Sequence, residues 1–251
     1  MTFIDSINNL ISFSSSHIII HDSNTVFEQI PEKCTEIVVY SDLVEFGPNS
    51  FDGMKFLEKV VISDSVVSIG DRAFIDCSSL NEIKLPGKLS VINSYTFSRC
   101  SSLVNIIIPE TLTSISKNAF EYCAKLKEIN MPSSLINIGP FTFYGCSSLT
   151  KMILPDSVEK IEENAFDGCS SLIEINIPPK ITDIKSFTFN NCKSLTSVIL
   201  PNSVISIGKN AFCCCVSLVN IKLPESVEMI EEYAFESCSL LSKIEIPESV
   251  K

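Results

Sequence analysis

The chain has 251 residues, of which 45% are hydrophobic and 20% charged, and its formal net charge is -11. This composition excludes a disordered chain and lacks the basic surface that nucleic acids or anionic membranes require. Only Arg72 and Arg99 offer a guanidinium fork for phosphate.

The first segment, residues 1–33, carries none of the periodicity that follows. It opens MTFIDSINNLISFSSSHIII, with Asp5 ahead of any apolar run and no basic stretch, so it does not read as a secretory signal. No window approaches the roughly 18 apolar residues of a membrane span, and no Asn-x-Ser/Thr sequon occurs. These features and the many cysteines favour an intracellular location. His17 and His21 stand four apart in HIIIH. A helix would put them on one face, but three consecutive Ile favour a strand, where residues four apart lie roughly 13 Å from each other. No metal site is expected there, and 1–33 is expected to cap the first repeat.

Residues 34–251 form one array. Cysteines recur 23 residues apart, from Cys77 through Cys146 to Cys238, and Phe keeps the same step from Phe51 to Phe235. The unit is L-x-x-I-x-I-P-x-x-V-x-x-I-x-x-x-A-F-x-x-C. An alternating piece such as Ile83-Lys84-Leu85 reads as a short strand, ended by a Pro that lacks an amide donor. The A-F-x-x-C stretch, apolar at i, i+1, i+4 and i+7, predicts one or two helical or 3₁₀ turns. One unit cannot cover its own apolar face and stacked units can, which predicts an α/β repeat solenoid with a parallel sheet along one side. Ten strands are expected, from Ile37-Val38-Val39 to Ile244-Glu245-Ile246.

With L-x-x-I-x-I-P and A-F-x-x-C in most units, the chain resembles the BspA-like leucine-rich repeats of 23-residue type, known from anaerobic bacteria and protists. The resemblance covers about residues 34–251. It implies an arc with the sheet on the concave face and short turns on the convex side. It also implies a non-catalytic protein, commonly a cell-surface one that binds host or matrix proteins.

The spaced cysteines are expected in the core as free thiols: Met54 fills the same slot in the first unit, beside Phe and Leu. Cys213 and Cys214 fall in columns that are otherwise mostly polar and are expected to be exposed. The acids after the strands, Asp64, Glu110, Asp156, Glu225 and Glu248, read as a solvated edge rather than a calcium site. No Ser-His-Asp set, phosphate loop or paired carboxylates have supporting context, so neither an enzyme nor a cofactor is expected.

A second period overlies the first. The middle strand residue alternates Val61, Lys84, Ile107, Asn130, Ile153, Asn176, Ile199, Lys222. Pointing away from the core, Val61, Ile107, Ile153 and Ile199 would form an apolar stripe separated by Lys84, Asn130, Asn176 and Lys222, widened by Val104, Ile173 and Val219. An aliphatic stripe on an open sheet suits a protein partner. The residue two before each Phe alternates too, placing Tyr95, Phe141, Phe187 and Tyr233 between Asn residues. These aromatics are either a second exposed row or fold down between their neighbours. The expected function is a protein–protein interaction scaffold using the concave sheet; an adhesin and a self-assembling array are the alternatives. The array stops at IPESVK, early in a unit, so the last rung is expected to be uncapped and to associate end to end.

Overall fold

The computed structural model describes residues 11–14, 17–20, 30–39 and 43–251; Val26-Phe27, His21 and most of the expected cap lie outside them. The described chain winds as a parallel β-solenoid in which each unit contributes three segments.

The first segment is the predicted strand. Its ladder begins with Ile11–Ser14, antiparallel to His17–Ile20. His17–Ile20, a strand as the three Ile suggest, runs parallel to Glu36–Val39 with His17 opposite Glu36. Lys59–Val61, Glu82–Lys84 and Asn105–Ile107 follow in register. Further on, Lys151–Met152 pairs with Glu174–Ile175, and Ser197–Ile199 with Asn220–Lys222. The ten expected strands are therefore not all formed: 128–130 and 243–246 adopt no strand. Inward Ile129 is nevertheless buried. Burial of Ile129 and the bond from Thr150 N to Lys127 O (3.0 Å) beside it keep that rung's register.

The second segment is V-x-x-I, which forms a second parallel ladder. Glu45–Phe46 pairs with Ser68–Ile69. Val91–Ile92, Ser114–Ile115, Asn137–Ile138 and Lys160–Ile161 run consecutively, as do Asp183–Ile184, Ser206–Ile207 and Met229–Ile230.

The third segment corrects the expectation of helical or 3₁₀ turns, since the described residues contain no helix. Around Phe97, three amides leave the rung: Tyr95 N donates to Lys117 O (3.0 Å), Phe97 N to Ala119 O (2.8 Å) and Arg99 N to Glu121 O (2.7 Å). The amides between them donate three residues back, as Ser98 N does to Tyr95 O (3.1 Å). A helix would spend consecutive amides within its own turn. Here every second amide bonds the next rung, so the segment is a third ladder built of turns. Two left-handed residues per unit make this possible, such as Tyr95 (φ 58°) and Arg99 (φ 61°) around Phe97. An L-residue helix cannot accommodate such a pair. The apolar i, i+1, i+4 spacing fits both paths, which is why it misled.

All three segments point apolar side chains at one core running from Cys34 to Cys238. The Phe rings from Phe51 to Phe235 stack one per rung, for example Phe120 on Phe143 at 5.4 Å with planes 3° apart and Phe143 on Phe166 at 5.4 Å. Offset stacks of this spacing add to the burial of each ring. The cysteine row lies beside them, buried and free as expected. Each thiol also has a partner that the sequence did not reveal. Cys146 Sγ donates to Phe120 O in the preceding rung (3.1 Å), and the same bond recurs from Cys77 to Phe51 O (3.0 Å) through Cys238 to Phe212 O (3.1 Å). Burial pushes all these thiols up, Cys77 to about 12 and Cys238 to about 11.

Candidate protein-interaction face

In the first ladder the inward residue of each strand is flanked by two outward ones. Val60, Ile83, Ile106 and Val198 are buried while the residues on either side are exposed. The structure therefore places the alternating column on the outer face. Ile107 and Ile153 are each 61% exposed and Ile199 81%. Val61 joins them at 41%. Ile173 and Val219 are also exposed and widen the stripe, whereas Val104 is half-buried.

The polar members of the column are not equivalent. Lys84, Asn130 and Lys222 are exposed. Asn176 is exposed too, but its amide clasps the neighbouring rung: Leu154 N donates to its Oδ1 and its Nδ2 donates to Leu154 O, both at 2.8 Å. Elsewhere the ladder uses a backbone carbonyl at this point, as Leu85 N does with Ile107 O (3.0 Å). Asn176 thus joins two rungs while its side chain stays exposed on the same face. Beside the stripe, Lys59 pairs with Glu36 (3.0 Å) and Lys151 with Glu174 (3.4 Å). These exposed pairs leave the face close to neutral locally and are worth little stability.

The aromatic column takes an intermediate course. Its members all sit at left-handed backbone: Tyr95 (φ 58°), Phe141 (55°), Phe187 (59°) and Tyr233 (62°). Tyr95, Phe141 and Phe187 are half-buried and only Tyr233 is exposed. Arg72 covers the Tyr95 ring at 5.3 Å and Lys209 the Tyr233 ring at 5.8 Å. Phe141 meets Tyr144 edge-on at 5.8 Å. The Asn members of the column have a physical reason, since Asn is among the residues that tolerate this conformation best; the aromatics between them hold the same backbone without that preference.

Two features were missed. Beside the second ladder Val44, Val67, Ile136 and Ile205 are exposed, scattered among Ser90, Thr113, Glu159 and Thr182 of the same column, and the V-x-x-I spelling does not by itself announce a strand. Cys213, expected on the surface, is buried, while Cys214 is half-exposed. The Cys213 column does not face open solvent: Ser98 and Asp167, its counterparts, are buried as well. They are polar because they bond along the row, Ser98 Oγ to Glu121 (3.0 Å) and Asp167 to Asn190 Nδ2 (3.0 Å). Burial raises the Asp167 carboxyl, and the bonds from Asn190, Asn164 and Asn191 work against it. Among the described residues no cluster of three His, Cys, Asp or Glu is placed to hold a metal ion.

The model of the BspA type leucine rich repeat region matches residues 19–150 and 136–251, with six copies. The chain belongs to this family. The family is one of leucine-rich repeat scaffolds, generally of protein interaction and without catalytic function. Solved structures with the same fold include the T. pallidum leucine rich repeat protein, at 24% identity and TM-score 0.58 over 83% of this chain and 86% of that one. A leucine-rich repeat protein of Eubacterium ventriosum is 20% identical, with TM-score 0.56 over 94% and 86%. One of Bacteroides ovatus is 26% identical, with TM-score 0.54 over 96% and 82%. Comparison with curated proteins finds no match. No helix among the described residues is long and apolar enough to cross a membrane.

Proposed function

We propose that this BspA-type array is a non-catalytic scaffold that binds a protein partner through the outer face of its first ladder. The observation that carries the proposal is the exposure of Ile107, Ile153 and Ile199 in one column. An apolar row on an open sheet gains most from covering by another protein's side chains, since each buried aliphatic releases hydration water. Lys84 and Lys222, which alternate with the apolar residues in the same column, supply polar contacts that fix register. Two Arg and a net charge of -11 leave nucleic acid a poor fit and steer a neutral or basic protein partner. Residues 1–33 act in this account as a cap, supported by the hairpin strand His17–Ile20 that covers the edge of Glu36–Val39.

The test is Ile107→Lys combined with Ile153→Lys. Both side chains face solvent, so the double variant keeps the wild-type circular dichroism and loses the partner that the wild type captures. A variant that folds and still captures it refutes the assignment of the face.

The adhesin alternative differs in location and not in mechanism. All eleven cysteines are free, which supports a reducing compartment. Antibody labelling confined to permeabilised cells is the expected result, and labelling of intact cells would move the same face to the cell surface.

A further inference from the structure

Eleven cysteines stand in the chain, and nine of them have their thiols buried against backbone carbonyls. Cys34 Sγ donates to Glu36 O (3.2 Å), and the eight of the repeat row donate to Phe carbonyls, as Cys192 does to Phe166 O (3.2 Å) and Cys215 to Phe189 O (3.1 Å). Cys213 and Cys214 make no such bond. Their sulfurs face each other at 3.6 Å, and Glu236 Oε2 lies 3.9 Å from Cys213 Sγ. Adjacent side chains of an extended strand point apart. Here they converge because Cys214 occupies the left-handed slot of the turn, with φ 59°.

We propose that Cys213 and Cys214 form a thiol–disulfide exchange site that closes into a ring disulfide on reaction with a low-molecular-weight disulfide. Cys214, the half-exposed member, attacks one sulfur of the small disulfide as thiolate. One thiolate leaves and takes up the proton that Cys214 lost. Cys213 then gives its proton to the Glu236 carboxylate and attacks Cys214 Sγ. The mixed bond breaks, the new sulfur–sulfur bond forms, and the second small thiol departs with the proton held by Glu236. Two protein thiols are oxidised and one small disulfide is reduced to two thiols, so electrons and protons balance. The order of attack follows from accessibility, because Cys213 is buried.

The backbone around the pair is held from both sides. Asn191 N donates to Cys213 O (2.8 Å) and Cys214 N to Glu236 O (2.8 Å). Neighbouring Cα atoms across a trans peptide are about 3.8 Å apart, shorter than the roughly 4.4–6.8 Å of an ordinary bridge. A ring closed over that span is strained and reopens more easily than a structural disulfide. The site is therefore reversible, and its closure acts on the turn that links three successive rungs.

The experiment treats the reduced native chain with oxidised glutathione, quenches in acid, blocks free thiols and maps cysteines by mass spectrometry. The expected result is a peptide holding Cys213 and Cys214 that is lighter by two hydrogens, carries no glutathione, and returns to two free thiols under mild dithiol. Cys213→Ser should instead keep glutathione on Cys214, which also shows that Cys215 does not substitute. A wild type that retains glutathione on Cys214, or in which neither thiol reacts while a free cysteine peptide does, overturns the proposal. The wild-type result decides even if the variant is unstable.

Discussion

Raising the pH above the ordinary thiol range should unfold this array, and the row of buried cysteines sets the size of the effect. Cys77, Cys100, Cys123, Cys146, Cys169, Cys192, Cys215 and Cys238 are all held above their usual value by burial. In the unfolded chain each ionises near about 8.5. A folded value raised above the unfolded one gives stability that is complete below the unfolded value and is lost as pH rises toward the folded value. For Cys77 the window runs from the unfolded value to about 12, and for Cys238 to about 11. Within it each thiol costs about 1.4 kcal/mol per pH unit. Eight together cost roughly 11 kcal/mol over the first unit, comparable with the whole stability of an ordinary domain, about 5–15 kcal/mol. The array should therefore be stable at pH 8, lose its circular dichroism between about pH 9 and 10, and refold on return to neutral pH under reducing conditions. In a chain carrying Cys213→Ser and Cys214→Ser, which leaves the buried row, thiolate absorbance should rise together with unfolding and not before it. Stability unchanged from pH 8 to 10, or thiolates of the row titrating in that folded chain, would refute the burial of the row.

Phe143→Ala removes a ring stacked on both sides and should cost about 3–5 kcal/mol, seen as a lower denaturant midpoint. Cys146→Ser should lose only about 1–2 kcal/mol, because Phe120 O offers the hydroxyl the acceptor now used by the thiol (3.1 Å). A loss above about 3 kcal/mol would mean that the hydroxyl finds no partner. Asn118 is left-handed (φ 56°) and its buried Oδ1 has no hydrogen-bond partner. Asn118→Gly should therefore melt close to wild type, and Asn118→Val should melt several degrees lower, because a β-branched residue resists this backbone.

The core was legible because a stacked array must offer each residue a copy of itself above and below. Phe, Leu and Cys therefore return at every step, and their burial followed directly. The outer stripe was legible for a similar reason: alternation in a strand assigns sides, so the sequence alone places Ile153 and Ile199 outward. Hydrogen-bonding partners were not legible. Nothing in the spelling of A-F-x-x-C distinguishes a helical turn from a ladder of turns, and Tyr95 and Phe187 masked the left-handed slot that Asn164 and Asn210 mark. Gly145 and Gly168 were the available signal at the second such slot, both at positive φ, and at Gly145 the Tyr122 ring lies where a Cβ would stand. Polar columns misled in the opposite direction. Asp167 is polar and buried because Asn amides satisfy it, so the polarity of its column did not imply that Cys213 was exposed. The clasp that exposed Asn176 makes between rungs was not legible either.

The central claim concerns which face meets the partner, and site-specific photocrosslinking tests it most directly. A photoreactive residue at position 199, on the outer face of the first ladder, is compared with one at 205, on the second. Ile199 and Ile205 are both exposed, and adding the two lysines, which leaves position 199 as accessible as before, separates contact from accessibility. The account predicts a discrete protein adduct from position 199 that is lost when Ile107→Lys and Ile153→Lys are added, and none from 205. The same adduct from 205, or one from 199 that survives the two lysines, would contradict it.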